Sequence, residues 1–212
     1  MSQTFIITGT DTGVGKTIFA AALTQALGAT YWKPVQCGLE GETDSEIISR
    51  LTNCEVLHEA YRLSMPASPH LAAEAEGKLI STDRFILPTK FMSLTIEGAG
   101  GVMVPLNREN LFIDIFASWN KPVILCARTT LGTINHTLLS LSALRNAGCK
   151  ILGVAFIGED NKEVEETICA FGEVSRLGRL PYLETLTSET LATAFESGFD
   201  LNQFNQLALK HG

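Results

Sequence analysis

"TFIITGTDTGVGKTIFAAALTQALG", residues 4–28, runs from a short apolar stretch through a glycine-rich turn into a segment with helical spacing. In its centre, Gly13 and Gly15 let the backbone turn tightly on either side of Val14, so that several N–H groups face one point. Lys16 adds a positive charge there, and Thr17 opens a helix whose positive end faces the same way. Such a turn suits a polyphosphate. The usual phosphate-loop spacing needs a glycine five positions before the Gly-Lys pair; Thr10 holds that place and Gly9 stands one residue earlier, so the loop is a lengthened variant. Glycine-rich turns also serve simply to pack a strand on a helix. Here the strand, the Gly-Lys-Thr and the helix occur together, and nucleotide binding is the stronger reading.

Outward from the loop, apolar runs of strand length recur at 30–35, 92–97, 122–127, 150–157 and 177–182, mostly separated by segments of helical length. The stretch 133–147 places Ile134, Leu138, Leu141 and Leu144 near one helical face and stops at Gly148. Strand and helix alternate, and several strands are apolar almost throughout. This predicts an α/β fold: a mainly parallel sheet with helices on both faces, P-loop NTPase-like, whose ligands sit beyond the carboxyl ends of the strands. Residues 52–90, interrupted by Pro66, Pro69 and Pro88, read as short helices and loops, and the chain after Thr185 as a helical closing segment. No internal repeat or linker divides the 212 residues, so one domain over 1–212 is expected.

Composition narrows the partners. A net charge of −7, with no basic stripe, argues against nucleic acid. No apolar run approaches a membrane span and the first residues lack a signal peptide, so the reading is a cytoplasmic protein that engages no membrane. Five cysteines, odd in number and without a C-x-x-C pair, read as free thiols.

A triphosphate site calls for a metal ion and therefore for an acid. Glu97 ends the run "MSLTIE" and opens the glycine turn Gly98, Ala99, Gly100 and Gly101, where a second-strand acid would ligate Mg²⁺ and the turn leaves room for a ligand. A solvated strand-end glutamate is the plain alternative. Asp44, ahead of Ser-Glu-Ile-Ile, is balanced between a metal ligand and a helix cap. Lys33 ends the run "TYWK" before Pro34 and projects toward the same sheet edge as the loop.

"GTDTGVGKT", "KPVQCG", Asp44, "SPHLAAE", "IEGAGGVMVPL", "PVILCARTTLGTINH" and "GRLPYL" together resemble dethiobiotin synthetases, in order and approximate spacing, over nearly the whole chain. The resemblance implies ATP-dependent closure of a cyclic urea on 7,8-diaminopelargonate with CO2 or bicarbonate, through a carbamate and a carbamic-phosphoric anhydride, with release of ADP and phosphate. It implies Thr17, Asp44 and Glu97 as Mg²⁺ ligands, Lys16 on the transferring phosphoryl, and Lys33 and Thr12 at the carbamate. The ammonium groups of Lys16 and Lys33 would together lower the substrate amine's pKa. It also implies a homodimer with the active site at the subunit interface, where the first turn of a helix, with the N–H groups of Thr133, Ile134 and Asn135, holds the substrate carboxylate of the other subunit.

Three departures from the family pattern stand out. Cys37 replaces a serine or threonine near the substrate, Gly13 stands where some members carry glutamate, and Ile157 and Gly158 lie where some carry an adenine-reading asparagine. Base recognition then either falls to backbone groups of Pro181, Tyr182 and Leu183 or is loose. A nucleotide switch of the kind that positions partition machinery is the rival reading. Such switches use a lysine early in the loop, where this chain has Thr10, Asp11 and Thr12.

Overall fold

The computed structural model describes residues 3–210. The apolar run before the glycine-rich turn forms β1 (Gln3–Gly9), and the turn delivers the chain into α1 (Lys16–Leu27). Then come β2 (Thr30–Trp32), β3 (Val35–Cys37), α2 (Asp44–Leu51), β4 (Val56–Leu57), β5 (Tyr61–Leu63) and α3 (Pro69–Ala75). The second half alternates regularly: β6 (Ser93–Glu97), α4 (Phe112–Trp119), β7 (Val123–Arg128), α5 (Thr133–Asn146), β8 (Ile151–Ile157), α6 (Lys162–Gly172) and β9 (Arg176–Leu180). Helices α7 (Ser188–Gly198) and α8 (Leu201–Lys210) follow, as expected of the segment after Thr185.

Seven strands form one sheet in the order β4-β2-β6-β1-β7-β8-β9, and every pairing in it is parallel. Parallel strands need covered faces, and the side chains of β1 show how the cover is divided. Phe5 and Ile7 point into a layer with Phe19 of α1 and Phe195 of α7; Ile6 points into the opposite layer with Phe116 of α4 and Leu141 of α5. All of them are fully or almost fully buried.

The expected strand over 30–35 is broken. Pro34 has no N–H to donate, and its carbonyl instead accepts from Ala60 and Tyr61 N–H, which diverts the chain into a separate two-stranded sheet of β3 and β5. Residues 52–90 therefore hold two short strands besides α3 and a 3₁₀ turn at Thr82–Arg84. The run 177–182 is a strand only to Leu180, since Pro181 cannot continue a ladder. The five cysteines are free thiols, and no described helix is long and apolar enough to cross a membrane.

Because all seven strands point one way, their carboxyl ends share an edge. Residues at or just past those ends are Lys33 after β2, Glu97 of β6, the glycine-rich loop after β1, Arg128 of β7, Ile157 of β8 and Pro181 after β9.

Candidate active site

The loop begins where β1 ends. Gly15 takes a left-handed conformation (φ 95°) as N-cap of α1, and a Cβ there would lie 2.9 Å from Ile157 Cγ2, so no other residue fits without movement. No side chain caps α1, which leaves its first-turn N–H groups available to an anion. The Lys16 ammonium folds back over the loop and donates to the Asp11 carbonyl at 2.8 Å. Burial lowers its pKa, and the attraction of Glu97 does not fully offset this.

Register brings the acids alongside. Ile7 pairs with Glu97 and Trp32 with Ile96, so Lys33, one residue past β2, lies beside Glu97. Lys33 Nζ lies 2.5 Å from Asp44 Oδ2 and 3.0 Å from Glu97 Oε1. The Thr17 hydroxyl stands 2.7 Å from Asp44 Oδ1 and 2.9 Å from Glu97 Oε1. Burial works against the Lys33 ammonium, but Glu97 and Asp44 outweigh it and hold its pKa above the ordinary value. Burial likewise works against an ionised Asp44, and Lys33 with Thr17 overcomes it and keeps that carboxyl low. Lys33 is thus an ammonium matched to two carboxylates. The expectation that Lys16 and Lys33 act as two unmatched charges on a substrate amine is corrected for Lys33, which Asp44 and Glu97 match. Lys16 makes no ion pair with either acid; its ammonium is held by the Asp11 carbonyl instead.

The two readings of Asp44 are separated by its neighbour. Thr43 is the N-cap of α2: its side chain accepts from Glu46 N–H, and the Glu46 carboxylate accepts from Thr43 N–H. With capping done by Thr43, the Asp44 carboxylate is free to face Thr17 and Lys33. Thr17, Asp44 and Glu97 offer a hydroxyl and two carboxylates within hydrogen-bond reach of one another. An all-oxygen donor set of this kind fits a hard divalent cation.

A cavity of ≈ 610 Å³ opens over this cluster. Of the residues anticipated from sequence, Thr12, Gly13, Gly15, Lys16, Thr17, Lys33, Cys37, Asp44, Glu97, Ala99 and Gly100 line it. Burial pushes the Cys37 thiol up to about 11, so it faces the cavity as a neutral group. A second cavity of ≈ 230 Å³ lies on the other side of the loop, where Val14, Gly13 and Gly15 meet Ile157, Pro181, Tyr182 and Leu183. Gly98 supports the site through its backbone, its N–H donating to Ile7 O and its carbonyl accepting from Lys33 Nζ at 3.4 Å. Gly101 faces a separate groove with Thr10 and Asp11.

Thr133, Ile134 and Asn135 line neither cavity. Thr133 N–H is also not free, as it donates to Thr130 O at 3.1 Å while the Thr133 hydroxyl bonds Arg128 O at 2.6 Å. That turn satisfies one of the three donors ascribed to the start of α5, so only Ile134 and Asn135 remain for an anion.

Three side chains were missed. Tyr31 is fully buried and donates its phenol to Glu97 Oε2 at 2.7 Å; burial and then Glu97 hold its pKa well above the ordinary value, so it remains a donor. Its signal was available, because residues two apart on a strand share a face and Tyr31 precedes Lys33 by two. Gln36 lines the larger cavity and accepts from Asp44 N–H at 3.3 Å. Arg128 donates to two carbonyls of the loop, and nothing in its own stretch of sequence announces that.

The family model described as an AAA domain matches residues 3–190. Among solved structures, the cell division ATPase MinD of Pyrococcus furiosus superposes with a TM-score of 0.59 at 15% identity, covering 98% of this chain and 100% of that one. A ParA family ATPase from Chlorobium tepidum gives 0.55 at 12%, covering 91% and 96%. At such identities the likeness establishes the fold. The ATP-dependent dethiobiotin synthetases BioD of Brucella ovis and Brucella abortus (strain S19) are each 54% identical over 211 residues, 98% of this chain and 100% of the relative. With identity at that level running from end to end, the chain belongs to the ATP-dependent dethiobiotin synthetase family.

Proposed function

We propose that the protein forms dethiobiotin by closing a cyclic urea on 7,8-diaminopelargonate with CO2 and ATP, and that the larger cavity is where the ring closes. The observation that carries this reading is the meeting of Thr17, Lys33, Asp44 and Glu97 beside the phosphate loop. ATP lies with its triphosphate on the loop and the first turn of α1 and its base in the smaller cavity against Tyr182. One amine of the diamine attacks CO2, loses a proton and becomes a carbamate. Lys33 and the Thr12 hydroxyl orient this carbamate. A carbamate oxygen then attacks the γ-phosphorus, ADP leaves, and Lys16 with the loop N–H groups offsets the charge spread over the transferring phosphoryl. The second amine attacks the carbonyl of the resulting anhydride, expels phosphate and closes the five-membered ring, aided by the short chain that holds both amines. Mg²⁺, held by Thr17, Asp44 and Glu97, would supply charge compensation to the phosphoryl oxygens.

The partner in this reading is a second copy of the chain, with Ile134 and Asn135 of one protomer facing the substrate carboxylate of the other. The test supplies ¹³C-bicarbonate, MgATP and the diamine to the purified protein. The label is expected at the ureido carbon of dethiobiotin, with one ADP per ring and little phosphate release when the diamine is left out. Phosphate release at the same rate without the diamine would overturn the assignment and favour a nucleotide switch.

A further inference from the structure

Two cations hold the carbonyls along the crest of the phosphate loop, and they do so from different sides. Lys16, within the cavity, takes Asp11 O at 2.8 Å. Arg128, half-buried at the end of β7, donates from one Nη2 to Gly13 O at 2.9 Å and Thr12 O at 3.2 Å. Arg128 lines neither of the two cavities that flank the loop. It reaches the crest because β7 pairs with β1 in the register Gly9↔Cys126, which carries the end of β7 past the start of the loop. Gly13 sits at φ 69°, a left-handed conformation that glycine adopts without strain, and its Cα face lies against the guanidinium, where a Cβ would be at van der Waals distance, 3.4 Å from the nitrogen.

A trans peptide is planar, so its C=O and the next residue's N–H point in opposite directions. Holding Thr12 O fixes the N–H of Gly13, and holding Gly13 O fixes the N–H of Val14. Both donors then point away from Arg128, which lies outside both cavities. We propose that Arg128 is a positioning residue for the triphosphate: its grip on the Thr12 and Gly13 carbonyls turns the Gly13 and Val14 N–H groups toward the phosphate oxygens and increases their polarity. This inference rests on the reading of the loop as the ATP site. It assigns to Arg128 a pre-ordering of donors that a glycine-rich crest lacks by itself.

The test compares wild type, Arg128→Ala and Arg128→Lys, with ATP binding followed by calorimetry alongside steady-state kinetics and melting. Arg128→Ala is expected to raise KM and Kd for ATP about tenfold, leave KM for the diamine within about twofold, and leave the melting temperature nearly unchanged. Methylguanidine added to this variant should recover part of the ATP affinity. Arg128→Lys should recover only part, since an ammonium on a shorter arm does not reproduce the planar fork. Wild-type ATP affinity in Arg128→Ala would overturn the inference while leaving the ATP site standing. Full recovery in Arg128→Lys would replace the carbonyl grip with a charge effect and overturn it too. Failure of wild type itself to bind ATP would sink both this inference and the reading beneath it.

Discussion

At the scale of single residues, the centre of the site is a balance of charge. Lys16 and Lys33 face Asp44 and Glu97 in a buried setting, where an unmatched ion is costly. Asp44 is held below its ordinary 3.8, so its contribution to stability is present above that pH and is lost as pH falls through its lowered value. Lys33 is held above 10.5, so its contribution is complete below 10.5 and is lost as pH rises through its raised value. Between about 4 and 10 these two groups therefore leave stability nearly independent of pH, while Lys16, held below 10.5 by burial, adds stability as pH rises through its lowered value. Lys33→Met removes the main cation facing Asp44, and burial then raises the carboxyl's pKa. The folded state now binds more protons than the unfolded one, and the sign reverses: the variant should melt at higher temperature at pH 5 than at pH 8. Mg²⁺ should raise its melting temperature more than that of wild type, since a divalent cation can replace the lost charge. Thermal melts at both pH values, with and without Mg²⁺, check this; equal melting at pH 5 and 8 would contradict it. Lys33 and Glu97 were legible in sequence because each ends an apolar strand. Tyr31 hid in the same strand as a core aromatic, although its alternation with Lys33 gives it away.

At the scale of elements, α2 shows how a cap releases a functional side chain. Thr43 and Glu46 satisfy the helix start, which leaves Asp44 for the cluster. Thr43→Ala should cost about 1 kcal/mol of stability. It should also raise the Mg²⁺ concentration needed for half-maximal turnover, because a frayed first turn loosens Asp44. A melting curve and a Mg²⁺ titration on the same sample test the pair, and an unchanged titration beside a lowered melting point would confine Thr43 to folding. Sequence left Asp44 undecided because the choice turns on which of two neighbouring side chains takes the cap, and Thr43 and Asp44 are both good capping residues. Strands β3, β4 and β5 were invisible for a different reason. With two or three residues each, they show no periodicity, and only the diversion at Pro34 and the pairing with distant segments define them. Arg128 belongs here too, since its reach to the loop follows from the pairing of β7 with β1.

At the scale of the whole molecule, the fold shared with MinD and ParA proteins and the family membership separate what the sheet supports from what the site does. The alternation of apolar runs made the parallel sheet legible; Pro181, Tyr182 and Leu183 beside the second cavity and the role ascribed to the start of α5 were anticipated only through the family resemblance, since no periodicity marks what a turn or a helix end binds. The proposed shared site of a homodimer predicts complementation. Lys16→Ala and Ile134→Pro, the latter removing one N–H within the first turn of α5 where proline is tolerated, should each be nearly inactive as homodimers. Subunit exchange should restore activity, because one of the two sites then joins an intact loop to an intact helix start. Mixed dimers that stay inactive would place the carboxylate contact within one protomer. The order of strands has a kinetic side as well. Central β1 is flanked by β6 and β7, so the partners of Gln3 and Ile6 are Ser93 and Val123, which a growing or refolding chain supplies late. The phosphate loop thus exists as local sequence from the outset but gains its acid from β6 and its arginine from β7 only after those distant pairings close. Regain of turnover during refolding should accordingly lag behind helix formation and coincide with completion of the central sheet.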